Sequence, residues 1–335
     1  MAPPSRLPPA LGVEGDGAHS HAVVTDASGT LLGLGANDDS SDWDDVGIAA
    51  AAAALRSCVR EALDAAGLVP DDVEASVFAL AGVDFPVDEQ RLMGIPEAIG
   101  LQRRSRIDND AFAALRAGTD EPYGVVVIAG NGSVVAGRNP RGDVYRSLGL
   151  GMLYGDFGSE TDVSQSAVTA VAEAFTGRGP ATVLTERLCA FTGMASVVEF
   201  LDGTARERID TAAFGPIVMG AAEEGDAVAG GLLRRAGVML GGTTAHVIRT
   251  LGMEEVEFEL VLARSMFDTD SPLLVDALEG CVRPVAPGAR LKRLETAPVV
   301  GSALLALELA DEAPADSARA TLAGAVASAL GPATR

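Results

Sequence analysis

Cysteine is scarce in this chain: only Cys58, Cys189 and Cys281 occur in 335 residues. They lie far apart and form no C-x-x-C pair, so the spacing supports neither a zinc knuckle nor a disulfide framework. A reducing compartment, the cytoplasm, is the expected setting. Cations are also few, with 25 Lys and Arg against 47 Asp and Glu and a net charge of −22. Nucleic-acid binding needs clustered cations facing phosphates, so no nucleic-acid partner is expected. Any phosphate-bearing ligand would have to be held by backbone amides and a metal ion. No apolar run approaches the ~20 residues that a membrane helix requires. Residues 1–10 carry Pro-Pro-type breaks and no apolar core of a signal peptide, so neither secretion nor a membrane partner is expected.

What is present is a folded chain, 48% apolar, with 39 glycines and 17 prolines to punctuate it. Its length suits two domains rather than one core. Leu11-Gly12-Val13 leads into Gly15-Asp16-Gly17. Ala22-Val23-Val24 then runs to a turn at Asp26–Gly29 and on to Leu31–Leu34, which reads as three strands joined by tight turns. An Ala-rich helix is expected from Ile48 to Ala66, with Leu55, Val59 and Leu63 at four-residue spacing and a stop at Gly67. A buried strand over Ser76–Ala81 and a helix over Asp88–Ile99 follow.

The second half opens with the same grammar. Val125–Ile128 leads into Gly130-Asn131-Gly132, Ser133–Ala136 runs to a turn at Asn139–Gly142, and Val144-Tyr145 makes a third strand. Two such passages in register indicate an internal duplication. Residues 162–251 read as mostly helical, Glu255–Ala263 as a strand, and Pro272–Cys281 and Val299–Leu309 as helices. The expected division is a disordered tail at 1–10, a first lobe at 11–118, a second at 119–311 and an extra C-terminal helix within 312–335.

Three features carry candidate chemistry. Glycine-rich turns let backbone N–H groups approach phosphate oxygens, which suits both G-x-G turns, although each also reads as an ordinary hairpin. Asn109-Asp110 stands where a strand runs into a helix. Asp110 in the first turn would be held ionised by the helix dipole and able to accept a proton, while helix capping by Asn109 or Asp110 is the plainer reading. Gly149–Ser159 holds too many glycines for a regular element, and its Asp156 could meet a substrate hydroxyl or serve the turn itself. His19 and His21 share a strand face without a third metal ligand, and His246 reads as an ordinary helical histidine.

Taken in order, these segments resemble the N-acetylglucosamine kinase branch of the actin-like ATPase and sugar kinase superfamily, which also contains the BadF/BadG-type ATPases. Gly12-Val13-Glu14-Gly15-Asp16-Gly17 is similar to the family's first phosphate loop and Ile128–Ser133 to its second. Gly155-Asp156-Phe157-Gly158-Ser159 is similar to its G-D-E-G-S, and Asn109-Asp110-Ala111 and Pro298–Gly301 complete the set. The resemblance implies an α/β fold of two duplicated actin-like (ribonuclease H-like) lobes with a central cleft, and an ATP-dependent kinase acting on an amino sugar or related compound. It implies Asp110 as the base, and nucleotide contacts from Gly15, Asp16, Gly17, Gly130, Asn131, Gly132 and Ser133. Substrate contacts would come from Asn37, Asn109, Asn131 and Asp156, and Glu14 with Asp16 would meet Mg²⁺. A homodimer is a further expectation from the resemblance.

The departures are specific. Ala18 replaces a threonine of the first loop, Asp16 adds a negative charge there, Leu150 stands where tryptophan is frequent, and Phe157 replaces an acid, which implies an altered sugar pocket. Ala263 and Arg264 lie in the place of the family's glycine-rich adenosine loop, where the arginine would obstruct the purine or stack on it. Two alternatives follow: a binding protein that lost turnover, and an ATPase activator of a redox enzyme carrying an iron–sulfur cluster.

Overall fold

The computed structural model describes residues 8–101 and 103–331. The chain divides into two compact units, one holding the chain up to Gly124 and from Leu294 onward, the other Val125–Arg293. Each is an α/β unit built on a mixed five-stranded sheet.

The first unit contains β1 (Ala10–Gly15), β2 (Ser20–Thr25), β3 (Leu31–Asn37), α1 (Trp43–Val46), α2 (Ile48–Ala66), β4 (Ala75–Leu80), α3 (Pro86–Leu92), α4 (Gly94–Ile99), β5 (Arg104–Asn109) and α5 (Asp110–Gly118). The second contains β6 (Gly124–Ala129), β7 (Ser133–Arg138), β8 (Val144–Arg146), α6 (Glu160–Phe175), α7 (Leu184–Thr192), α8 (Val197–Ala205), α9 (Gly215–Glu223), α10 (Ala227–Thr250), β9 (Phe258–Ala263), α11 (Leu273–Val282) and β10 (Ala289–Arg293). Two last helices, α12 (Pro298–Leu309) and α13 (Ala318–Leu330), return to the first unit.

The strand orders are β3-β2-β1-β4-β5 and β8-β7-β6-β9-β10. Each reads third, second, first, fourth, fifth, so the duplication seen in the two G-x-G passages extends to the whole sheet. Within the first sheet β1 pairs antiparallel with β2 and parallel with β4, which pairs parallel with β5. Strands β1, β2, β4 and β6 are buried along their full length, as expected where both faces are covered.

Helix α2 covers one face of the first sheet. Leu55, Cys58, Val59, Ala62 and Leu63 pack with Val13, Val24, Phe78 and Ile107, and α2 ends at Gly67 in the left-handed conformation, φ 68°. The other face is covered by α12 and α13, where Val300, Ala303, Leu304, Leu307, Leu322 and Val326 pack with Ala10, Val23 and Val77. The approach is close enough to require glycine. A Cβ on Gly12 would stand 2.1 Å from the Ala303 nitrogen, and one on Gly301 would stand 1.9 Å from the Ala113 carbonyl oxygen. Arg116 Nε donates to Glu308 Oε1 at 2.7 Å and ties α5 to α12.

This packing revises the expected boundaries. Residues 294–311 belong with the first unit rather than with a second lobe at 119–311, and the helix within 312–335 is part of the same layer. Helix α12 is buried at every position from Val299 to Leu307, so its pattern says that it is enclosed without saying by which sheet. The tail expected at 1–10 does not include residues 9 and 10, since Ala10 opens β1 and Pro9 accepts from Glu74 N, and residues 1–7 lie outside the described residues. The single helix expected over Asp88–Ile99 is two. Pro96 lacks an N–H and its ring crowds the carbonyl four residues back, and α3 stops at that residue, Leu92.

Candidate functional site

The register of the first sheet places its candidate residues at one edge. Gly15 is level with Leu80 on β4, and Leu80 with Asn109 on β5, so three parallel strands end in line. On the antiparallel side Gly15 is level with Ser20, and Ser20 with Asn37. Gly15, Asp16, Gly17, Asn37, Asn109 and Asp110 therefore gather at the carboxyl ends of the parallel strands, where open α/β sheets hold their ligands.

Most of these side chains already have work within the unit. Asp16 Oδ1 accepts from the backbone amides of Ala18 at 2.7 Å and His19 at 2.8 Å, so the first glycine turn is occupied by its own carboxylate. Asn109 caps α5, accepting from Ala111 N at 3.1 Å and donating to the Val83 carbonyl at 3.1 Å. The capping is done by Asn109, and Asp110 lies one residue into the first turn. Asn37 donates to the Ala54 carbonyl at 2.9 Å and accepts from Asp39 N at 3.1 Å. Glu14, one residue behind the edge, is 3% exposed and lies 3.4 Å from Nδ1 of the buried His21. The His19 and His21 rings stack with centroids 6.0 Å apart. The two carboxylates expected to hold a metal are thus each engaged inside one hairpin, and among the described residues no group of three His, Cys, Asp or Glu could hold a metal ion.

The second unit assembles a different cluster. Ile128 on β6 is level with Ala263 on β9, which sets Gly130 beside Arg264. A Cβ on Gly130 would stand 3.1, 3.5 and 3.9 Å from Cβ, Cγ and Cδ of Arg264. Gly130 closes its turn by donating to Gly132 O at 2.9 Å, and its carbonyl accepts from Glu160 N at 2.7 Å. Ser133 is buried, its hydroxyl 3.4 Å from the Asp156 carbonyl oxygen, while Asn131 is exposed. Asp156 Oδ2 accepts from Gly149 N at 2.8 Å and Leu150 N at 3.2 Å, which pins the glycine-rich loop from within. Phe157 is buried under the Arg235 guanidinium of α10, 4.6 Å from ring centroid to Cζ. Phe157 therefore packs against α10.

Glu160 is the residue that the sequence reading missed. Its amide meets the second glycine turn, its Oε2 accepts from Ser265 Oγ at 2.6 Å, and its side chain fills the space above Gly215. The available signal was its place directly after Gly158-Ser159, at the first position of α6. Ser41 was also missed: its hydroxyl is buried without a hydrogen-bond partner among the described residues and lies 1.9 Å from where a Cβ on Gly15 would be, so a side chain there would displace it.

A sheet plan repeated twice, with glycine turns after each first strand and a carboxylate at the β5–α5 junction, is matched by a family model over residues 11–306. The chain belongs to the BadF/BadG/BcrA/BcrD ATPase family. The chain is 26% identical over 260 residues to the N-acetylmuramic acid/N-acetylglucosamine kinase of Clostridium acetobutylicum, covering 76% of this chain and 83% of that one. It is 27% identical over 311 residues to the N-acetyl-D-glucosamine kinase of Dictyostelium discoideum, covering 89% and 97%. A solved structure from Chromobacterium violaceum, provisionally named an N-acetylglucosamine kinase, superposes with a TM-score of 0.65 at 23% identity over 89% of this chain and 99% of that one. That likeness shows the fold, the actin-like α/β architecture of the family. Among the described residues no helix is long and apolar enough to cross a membrane.

Proposed function

We propose that the protein is an ATP-dependent kinase that phosphorylates a hydroxyl of an amino sugar, N-acetylglucosamine-like or glucosamine-like. The observation that carries this reading is the alignment of Gly15, Leu80 and Asn109 at one sheet edge, which puts Asp110 in line with the first glycine turn. Membership of an ATPase family and the names of its two curated relatives supply the nucleotide and the class of acceptor.

In this reading Asp110 accepts the proton of the sugar hydroxyl as its oxygen bonds to the γ-phosphorus and the β,γ-bridging bond breaks to release ADP. Asp110 stands in the first turn of α5, where the helix dipole favours negative charge. Asn109 positions it by capping the helix. Asn37 holds its own loop through Ala54 and Asp39. Mg²⁺ supplies charge neutralisation on the phosphates when bound. With Glu14 and Asp16 engaged in their hairpin, the residues present fit an ion that is ligated chiefly by the nucleotide.

One observation favours a second reading. Asp16 fills the amides of the first turn, as a protein that binds sugar without turnover could tolerate. The redox-activator alternative is not favoured, because Cys58 is fully buried in α2 and burial pushes its thiol up to about 12, a poor cluster ligand. The deciding measurement is ADP release from Mg·ATP across N-acetylglucosamine, glucosamine and other hexoses, run beside Asp110→Asn. Turnover that needs one acceptor and collapses in the variant supports the kinase. Sugar binding without acceptor-dependent ADP release sinks it and leaves the binding protein.

A further inference from the structure

Arg264 occupies a backbone conformation that belongs to glycine. Its φ of 81° and ψ of 173° lie in a region where a side chain is strained, and such strain persists only where the surroundings impose it. Here the parallel register of β6 and β9 imposes it, holding the residue after Ala263 against Gly130. The exposed side chain runs along that glycine turn, Cβ 3.1 Å from the place of a Gly130 Cβ. A strained position that glycine would relieve has thus been given a permanent cation, in a chain with a net charge of −22.

We propose that Arg264 binds the phosphate chain of the nucleotide at the second glycine turn. The ligand class rests on the kinase reading. Arginine suits the task because its planar fork meets phosphate oxygens in pairs and it is always charged. The alternative use of the guanidinium, stacking on the purine, makes a different prediction about which part of the nucleotide is felt.

The test measures Mg·ATP and adenosine affinity by calorimetry on the full chain and on Arg264→Gly and Arg264→Gln. Arg264→Gly should weaken Mg·ATP at least about tenfold, the scale of one lost charge-assisted contact, and leave adenosine unchanged. Its melting temperature should rise by roughly 2–4 °C as the strain is released. Arg264→Gln keeps the stem and should lose Mg·ATP affinity to a similar extent, and it decides the matter if the glycine variant folds poorly. Unchanged Mg·ATP affinity in both Arg264 variants overturns the proposal while an active unaltered protein preserves the kinase reading. Equal loss for adenosine and Mg·ATP overturns it in favour of purine stacking. Failure of the unaltered protein to bind Mg·ATP overturns both.

Discussion

The two units share one sheet plan and cover it differently. In the first, two helices stand between the third and fourth strands, and the far face is sealed by α12 and α13, which follow the second unit in the chain. In the second, five helices from α6 to α10 occupy the same interval, and α10 packs against α11 through Gly237 and Gly241. The repeated part is what fixes where loops emerge from the strand ends. The helical cover only has to be apolar and close, so it has diverged. The hairpin turns follow the same rule: Asp16 folds back into the first, whereas Asn131 stays exposed, its carbonyl accepting from Thr161 Oγ1 at 2.8 Å.

The largest expected effect breaks the comparison at the fifth strand. In the first unit β5 runs straight into α5 with Asp110 in its first turn, whereas β10 runs out to the exposed Glu295 with no helix start there. Asp110→Asn should lower kcat by roughly 10²–10⁴-fold, the usual contribution of a positioned base, with little change in nucleotide affinity. Glu295→Gln should leave kcat alone. Steady-state kinetics on the two variants checks this, and comparable losses in both would remove the distinction.

Next comes the seal over the first sheet. Gly301→Ala drives a methyl to within 1.9 Å of the Ala113 carbonyl, where backbone on both sides must move. A loss of about 3 kcal/mol in urea unfolding is expected, toward the upper end for overpacking. Gly242→Ala on α10 meets nothing within 4 Å and should stabilise by up to ~1 kcal/mol through helix propensity. Similar values for the two would show that α12 yields more readily than its contacts suggest.

Much of this contrast was legible in the residues. Alternation and glycine turns gave both hairpins, and four-residue spacing gave α2 over Ile48–Ala66, because those signals are local. The long helix expected from Ala229 to Leu251 runs over Ala227–Thr250 for the same reason. Three things were not local and were missed. The edge strand β10, Ala-Arg-Leu-Lys-Arg, hides its pairing under charges that protect an exposed edge. The return of α12 to the first sheet depends on Gly12 and Gly301 meeting backbone nearly two hundred residues or more away in sequence, which no spacing reveals. The candidate site was found as a set of positions, but not the state of its side chains: that Asp16 fills its own turn is a fact of geometry, and Glu160 carries no motif of its own.

A smaller effect sharpens the comparison of loop anchors. Asp162 is 5% exposed, and its Oδ2 accepts from Gly158 N, Ser159 N and Ser159 Oγ at 3.0, 3.0 and 2.7 Å, while Ser159 Oγ returns a contact to Asp162 N at 3.1 Å. This capping box starts α6 where it meets the second glycine turn. Asp162→Ala should cost about 2 kcal/mol, a lost cap plus buried donors left unpaired. Asp16 has an equivalent pair of amides but sits on a more exposed turn, so Asp16→Ala should cost less than half as much. Equal costs would mean that the first turn is anchored as firmly as the second.

The thiols give the smallest effect at neutral pH and the cleanest contrast between the units. Cys58 is enclosed between α2 and the first sheet, and burial, ahead of every other influence, pushes its thiol from an ordinary 9.0 up to about 12. Cys189 and Cys281 of the second unit are only partly buried. At pH 8 a thiol reagent should therefore label two cysteines in the folded protein and all three in denaturant, since the thiolate is the reactive form. The folded pKa lies above the unfolded one, so the stability tied to the protonated Cys58 is fully present below about pH 9 and is lost as pH rises toward 12. Cys58→Ala should flatten the fall in urea midpoint across that window while lowering the midpoint itself at pH 8, because it leaves a small void against Leu55 and Val59. Labelling of Cys58 at the rate of Cys281 in the folded state would show that the first unit opens locally around α2, which is the one result that would make the better-covered sheet the more mobile of the two.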